Sequence, residues 1–596
     1  MNRQFPTSHH RDQWLPISVA VIIGLLISQL NATEPELGQV ETAQTRAAKA
    51  KHEDKLNPQL DGWDTEAFTN SAQAQLNILG ELLCDPESLS KESLETLFTP
   101  ETTTTSLFPE SQLKQVYSQS SLVVRRFAQK ESPSQSPTFL SECRNLAIQF
   151  TDPRFKFKIF KVEKLSETNS RTRQFLALSD NERELNATWS ITWKGQLIQS
   201  VILEETELVV RSQKRPLFSD TTGSFLEARE DLTEHLGHGI NHWQGRIEKI
   251  LSMHYFGHNG LAVGDVNGDG LDDLYLCQAA AVPNKLFLQQ SDGSTKEVAA
   301  LAGVDLLNSS RGCLLLDLDN DGDQDLAITI PHATLIYAND GKGNFSLSQR
   351  IDFASGGYSL TSADYDNDGD LDLYVCVYYR KPGDASALAY PIPYHDANNG
   401  GQNLLLRNDG MKFTNVTKET GMMAENHRFS FAASWEDFDG DGDVDVYVAN
   451  DYGRNNLYRN QLVETGKATF TSDAAAPGIE DTSFGMSVCW GDANADGFID
   501  LYTGNMFSGA GNRIAFQDRF QQHAPGEIKA KLQRTARGNS LFLNNKDATF
   551  SDVTMTAGAR QGRWAWGSIF ADLNNDGLED LAVANGFVTG KRADDL

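Results

Sequence analysis

The chain has 596 residues, 22% of them charged, and a formal net charge of −29. That acid surplus leaves no basic excess to neutralise phosphates, which excludes nucleic acid as a partner and disfavours anionic membrane surfaces. At roughly 150 residues per domain the length calls for about four domains, unless a repeat architecture consumes it.

Residues 1–32 read as an export segment, since Arg3 and Arg11 precede an apolar run from Ile17 to Leu30. The run falls short of the ~20 apolar residues of a membrane span, so a cleaved signal peptide is preferred over an uncleaved N-terminal anchor. Either alternative puts the remainder in the periplasm, on the cell surface or in the medium, with no membrane insertion beyond that anchor. Residues 33–62 are polar and charged and read as a linker. Residues 63–212 run from the helix-like "TEAFTNSAQAQLNILGELL" through a Ser/Thr/Pro-rich middle to strand-like segments such as "RFKFKIFKVEKL" and "NATWSITWKG". Helices followed by a long antiparallel meander predict a small α+β domain, cystatin-like or NTF2-like in shape. The six cysteines show no C-x-x-C spacing, so zinc ribbons and attached haem are not indicated; a Cys84–Cys143 bridge stays open in an oxidising compartment.

Residues 213–596 are organised differently. "DVNGDGLDD" at 265 recurs as "DLDNDGDQD" at 317, "DYDNDGDLD" at 364, "DFDGDGDVD" at 437, "DANADGFID" at 492 and "DLNNDGLED" at 572. Six matches to D-x-[DN]-x-D-G-x-x-D are too regular for acidic turns alone. The starts are separated by 52, 47, 73, 55 and 80 residues, so the third and fifth units carry insertions, at 378–401 and 504–538.

Calcium takes six to eight oxygen ligands at roughly 2.3–2.6 Å, and a chain curling round the ion can supply them from loop positions 1, 3, 5 and 9. Those positions are Asp265, Asn267, Asp269 and Asp273 in the first loop and Asp317, Asp319, Asp321 and Asp325 in the second. The third loop has Asp364, Asp366, Asp368 and Asp372, and the fourth Asp437, Asp439, Asp441 and Asp445. The fifth has Asp492, Asn494, Asp496 and Asp500, and the sixth Asp572, Asn574, Asp576 and Asp580. Glycine at position 6 gives the bend its backbone freedom, and position 7 varies as a backbone-carbonyl ligand would. The expected cofactor is therefore Ca2+, up to six ions. An EF-hand would need a bidentate acid at position 12, where Leu276, Ile328, Val375, Val448, Thr503 and Val583 stand instead.

Each loop is flanked by β-type runs, so it joins two strands of a hairpin. Two further strand signals follow: an N-x-L element, as in "QNLLLRNDG", and an F-x-D-V-T element, as in "ATFSDVTMTAGA". Four strands per unit, repeated radially, predict a mainly β fold, a β-propeller of four-stranded blades with six visible repeats in a ring of six or seven. Small residues recur four places after each loop (Cys277, Thr329, Cys376, Ala449, Gly504, Ala584), as crowding near a hub requires. The sixth unit lacks its last two strands, while "RPLFSDTTGSF" at 215 matches a final strand. Either that segment closes the ring like a clasp, or the chain stops short.

With their strand-loop-strand context and F-x-D-V-T-x-x-A-G continuations, the loops resemble FG-GAP/VCBS repeats, the calcium-bearing blades also found in integrin alpha subunits. "PIPYHDANNGGQNLLLRNDG", "FGMSVCWGDANADGFIDLYTGNMFSGAGNRI" and "RWAWGSIFADLNNDGLEDLAVANG" are similar in particular to bacterial relatives of the cartilage acidic protein (ASPIC/UnbV-associated) family. The Gly-Ala-Pro half of the FG-GAP name is absent. The resemblance implies an exported adhesion or recognition protein with a protein or carbohydrate ligand on its loop face and structural calcium. The alternative is an extracellular polysaccharide lyase or hydrolase built on the same scaffold. No catalytic constellation stands out, and His395 beside Asp396 in the first insertion is the nearest to an acid/base pair.

Overall fold

The computed structural model describes residues 64–119, 121–128, 138–212, 218, 260–354, 356–379 and 391–585. The export segment, the linker, the proposed clasp around 215 (apart from Phe218) and residues 380–390 of the first insertion lie outside the described residues. The chain divides into two compact units, Met1–Asn70 and Ser71–Leu596.

Seven strands form the first sheet: β1 (Phe98–Thr104), β2 (Lys114–Ser118), β3 (Leu122–Ala128), β4 (Arg154–Lys164), β5 (Asn169–Ser179), β6 (Arg183–Lys194) and β7 (Leu197–Arg211). The order is β2-β3-β7-β6-β5-β4, and β1 pairs in parallel with the start of β7 while β3 pairs with its end. Alternation places Trp189, Ile191 and Trp193 of β6 in the core, where Leu76, Leu79 and Leu83 of the helix Asp64–Cys84 are also fully buried. Gly80 is required in that helix, because a Cβ there would collide with the ring of Phe155 on β4. Buried polar groups on the sheet form a satisfied ladder: Trp193 Nε1 donates to Thr172 at 2.8 Å, Thr172 to Gln174 at 2.7 Å, and Gln174 to the Trp189 carbonyl at 2.9 Å.

From Leu261 onward the chain is mainly β and repeats. Units one to five are each a four-stranded antiparallel meander in chain order. The first comprises Leu261–Gly264, Asp273–Leu276, Lys285–Gln289 and Thr295–Glu297; the third comprises Gly356–Ala363, Asp372–Tyr379, Leu404–Asn408 and Phe413–Asn415. Among the described residues the sixth unit has only Ala565–Ala571 and Asp580–Asn585. In every unit the acidic loop joins the first two strands, as its flanking runs predict. The second strands Asp325–Ile330, Asp445–Asp451 and Asp500–Asn505 are buried along their whole length, which explains why they read as unbroken apolar or small runs. The expected crowding holds at Gly504, where a Cβ would strike Ser487 and come within 2.9 Å of the Ala565 carbonyl; Ala584 in the sixth unit is exposed.

The first strands converge. Tyr358 of the third unit meets Phe431 of the fourth with ring centroids 4.6 Å apart, and Trp566 of the sixth meets the same Phe431 at 5.8 Å. The sheets nonetheless remain separate and join into no closed sheet among the described residues. In the array's first strand Leu261 is 61% and Val263 56% exposed. All six cysteines are free, so the Cys84–Cys143 bridge is not formed.

Successive units are stitched by one asparagine. At the end of each third strand, Asn339, Asn408, Asn460 and Asn544 donate from Nδ2 to the position-2 carbonyl of the preceding unit's loop: Val266 (2.8 Å), Leu318 (2.7 Å), Tyr365 (2.9 Å) and Phe438 (3.3 Å). The same amide also reaches the position-8 carbonyl of its own loop, as from Asn408 to Leu371 at 3.2 Å. Each residue's backbone N–H goes to the position-9 aspartate, so loop, strand and neighbouring loop form one network. Leaving a buried polar group unpaired costs about 1–3 kcal/mol. Asn408→Ala takes a partner from two carbonyls and from the Met411 N–H and is expected to lower the urea midpoint accordingly, without loss of the folded baseline in circular dichroism.

Candidate metal centres

All six loops close by the same local chemistry. The position-1 aspartate accepts the backbone N–H of position 5 on one oxygen and that of the position-6 glycine on the other, as Asp364 does from Asp368 at 3.1 Å and from Gly369 at 3.0 Å. Equivalent pairs bind Asp265, Asp317, Asp437, Asp492 and Asp572. Gly369 needs its φ of +97°, a conformation that costs a side-chain-bearing residue backbone strain. The position-5 acid turns back on its own bend, with Asp269, Asp321, Asp368, Asp441, Asp496 and Asp576 each accepting the position-7 N–H.

Position 9 opens the second strand and is buried in the first five loops (Asp273, Asp325, Asp372, Asp445 and Asp500). Positions 1, 3 and 9 then come together: Asp317 with Asp319 and Asp325, Asp364 with Asp366 and Asp372, and Asp437 with Asp439 and Asp445 each offer oxygens within 4.8 Å of one another. In loops one, five and six the position-3 residue is Asn267, Asn494 or Asn574, so the oxygen there is an amide and the local charge is lower. Asp580 differs too: besides the position-2 N–H it accepts the side-chain amide of Asn574 at 3.1 Å, and no third strand is described beside it.

The donor set fits a hard cation. Asp366 Oδ1, Asp439 Oδ1, Asp445 Oδ2 and Asn574 Oδ1 are buried and accept no hydrogen bond, an arrangement costly unless something positive faces them. Electrostatics say the same. Burial and the neighbouring acids push Asp372 and Asp445 up to about 8 and Asp439 up to about 6, against opposing backbone bonds or Arg459, and push Asp323 up to about 6. These clusters could therefore hold metal ions, bound by carboxylate oxygens.

The insertions are used differently from one another. In the first, Asp396 does not serve His395: it accepts Arg428 Nη1 at 2.8 Å and Arg454 Nε at 3.0 Å. Burial opposes its ionisation, but those two arginines win and hold it below the usual carboxylate range. In the second, the helices Gly509–Ala515 and Gly526–Thr535 form, and Arg513 Nη1 donates to the Ile159 carbonyl of β4 at 2.7 Å. Phe175 of β5 meets Phe507 at 6.0 Å and lies under the Arg560 guanidinium at 5.2 Å. Phe507 and the first helix of that insertion therefore dock the seven-stranded sheet. Tyr117 of β2 and Gln119 just after it also reach Asp576 of the sixth loop.

The stitching asparagines went unnoticed in the sequence, although the signal is there: five residues beyond the N-x-L asparagine, Asn403, Asn455 and Asn539 are followed by Asn408, Asn460 and Asn544.

Comparison with known proteins agrees with the loop geometry. The chain carries FG-GAP-like repeats. They match at residues 265–328, 317–375, 437–503 and 532–583, stretches that include all six loops. No curated protein matches the chain. Among solved structures, a lectin of Agrocybe aegerita described as recognising non-reducing terminal N-acetylglucosamine is 14% identical, with a TM-score of 0.31 over 55% of this chain and 75% of that one. A fructofuranosidase from Schwanniomyces occidentalis complexed with fructosylnystose is 9% identical, with a TM-score of 0.23 over 56% of this chain and 61% of that one.

The raised aspartates predict how the metal-free protein responds to pH. Their folded pKa values exceed the unfolded one of about 3.9, so the folded state binds more protons and stability falls as pH rises. The loss begins near pH 4 and is complete just above pH 8, the folded value of Asp372 and Asp445. Chemical denaturation in chelator from pH 5 to 8.5 should show this decline from these groups, and saturating divalent cation should flatten it.

Proposed function

We propose that this chain is an exported calcium-binding β-propeller, akin to bacterial relatives of the cartilage acidic protein family, that acts in adhesion or recognition of a protein or carbohydrate. Its Ca2+ ions are structural. The observation that carries this reading is where the recurring acids go: every position-1 and position-5 carboxylate accepts backbone N–H groups of its own loop, and positions 1, 3 and 9 of the second, third and fourth loops converge as a cation site would. An ion bound to positions 1, 3 and 9 supplies charge neutralisation to which the protein's own salt bridges contribute, among the described residues, only Arg459 at the fourth loop and Lys546 at the fifth. External calcium is abundant enough to fill sites with Kd values of about 10⁻⁴–10⁻³ M, which suits an exported chain.

Recognition falls to the end of the hairpins opposite the acidic loops. There Tyr394, 50% exposed, stands edge-on to Tyr452 and Phe484 at 5.1 and 5.9 Å, beside the arginine-bound Asp396. An aromatic ring braced by two others is a low-entropy contact of the kind that anchors binding sites.

Two measurements test the reading. A site filled at 100-fold over its Kd contributes about 2.7 kcal/mol, so chelation should lower the thermal midpoint by many degrees; an unmoved melting curve would reduce the loops to acidic turns. On arrays of glycans and matrix proteins, calcium-dependent capture is expected, weakened about tenfold or more by Tyr394→Ala. Turnover of a polysaccharide by the purified protein, abolished by His395→Ala, would sink the binding reading.

A further inference from the structure

The fourth loop differs from the other five. Its position 7 is Asp443, and with Asp441 and Glu464 it forms a second carboxylate group, the three oxygens within 4.8 Å of one another and separate from Asp437, Asp439 and Asp445. Glu464 belongs to the short helical turn Leu462–Thr465 after the third strand. That turn is fastened to the loop by the Val463 N–H, which donates to Asp443 Oδ2 at 2.9 Å.

Asp443 is 2% exposed, and its Oδ1 has no hydrogen-bond partner. Arg459 does not resolve this. Its Nη2 reaches Asp439 at 2.7 Å, Glu464 at 3.0 Å and Asp441 at 3.2 Å, so one nitrogen serves three carboxylates and leaves Asp443 out. The position-7 acid of the third loop shows the contrast: Asp370 accepts Asn320 Nδ2 at 2.8 Å and the Gly410 N–H at 2.9 Å and is fully served. In the second loop Asp323 has an unpartnered oxygen, yet no cluster of three acids forms around it among the described residues.

We propose that the fourth loop binds a second divalent cation on Asp441, Asp443 and Glu464, with Arg459 as a tethered charge that the ion displaces from Asp441 and Glu464. The two groups together hold six carboxylates, and Arg459 pairs with three of them, Asp439, Asp441 and Glu464. A single ion on Asp437, Asp439 and Asp445 leaves the three outer carboxylates with only the one positive charge of Arg459, which does not reach Asp443. All-oxygen donors, one of them on an exposed side chain with room for water, suit Ca2+. This rests on the reading of the loops as calcium sites.

The experiment is a count of calcium bound per full-length chain after stripping with chelator, by equilibrium dialysis at millimolar free calcium. Glu464→Gln, at an exposed position, and Asp443→Asn, nearly isosteric, are each expected to lose one ion relative to the wild-type chain, with melting in chelator unchanged for Glu464→Gln. Asp445→Asn should lose one ion by itself and two when combined with Glu464→Gln. Arg459→Gln should keep the full count and fill the last site at lower calcium, which a purely structural ion pair would not produce. An unchanged count in Glu464→Gln overturns the second ion while leaving the loops as calcium sites. A wild-type chain that binds no calcium overturns both.

Discussion

The structure depends on a hairpin loop whose carboxylates have been crowded together on purpose of geometry. Asp at position 1 ties the bend by accepting two backbone N–H groups, and Asp at position 9 starts the next strand with its carboxylate buried. Closing the bend therefore forces like charges into one small volume, with oxygens that no protein donor reaches. Two effects compete, local hydrogen bonding that builds the loop and repulsion plus desolvation that oppose it, and a cation reverses the sign of the second.

That local closure spreads into the fold through the position-9 carboxylate. It accepts the N–H of the residue that ends the third strand, and the amide of that residue reaches the loop of the unit before. Order in one loop is thus transmitted to its neighbour by two hydrogen bonds and one side chain. On the side of the acidic loops the units behave as links in a chain of nearest-neighbour contacts, the arrangement expected of repeats that cannot each bury a core alone. At the other end of the hairpins the connection is apolar: Tyr358, Phe431 and Trp566 come from three different units. Polar stitching at one end and aromatic packing at the other hold the units from both sides.

The differences among copies matter because the common part is committed to structure. The first insertion presents Tyr394 and spends Asp396 on two arginines; the second is drawn into contact with the seven-stranded sheet. Among the described residues only the fourth loop gathers two groups of acids. Variation on a repeated scaffold is where one unit can acquire a task the others do not have.

The sequence by itself determined the loops, their number, their ligand-type residues and the strands on either side, because each of these is set by spacings of two to nine residues that a single hairpin enforces. It also carried the four-strand unit, since turn residues and apolar runs punctuate it locally. Only the tertiary structure decided which asparagine joins which loop, through bonds spanning 73 to 106 residues. It likewise turned Asp396 away from His395, brought Glu464 beside Asp443, and docked Arg513 on a strand 354 residues earlier. These depend on how whole units lie against one another, and residues far apart in the chain leave no periodic trace of meeting. The acids repeat, so they can be counted from the sequence; their partners are set by packing, so they become visible only in the fold.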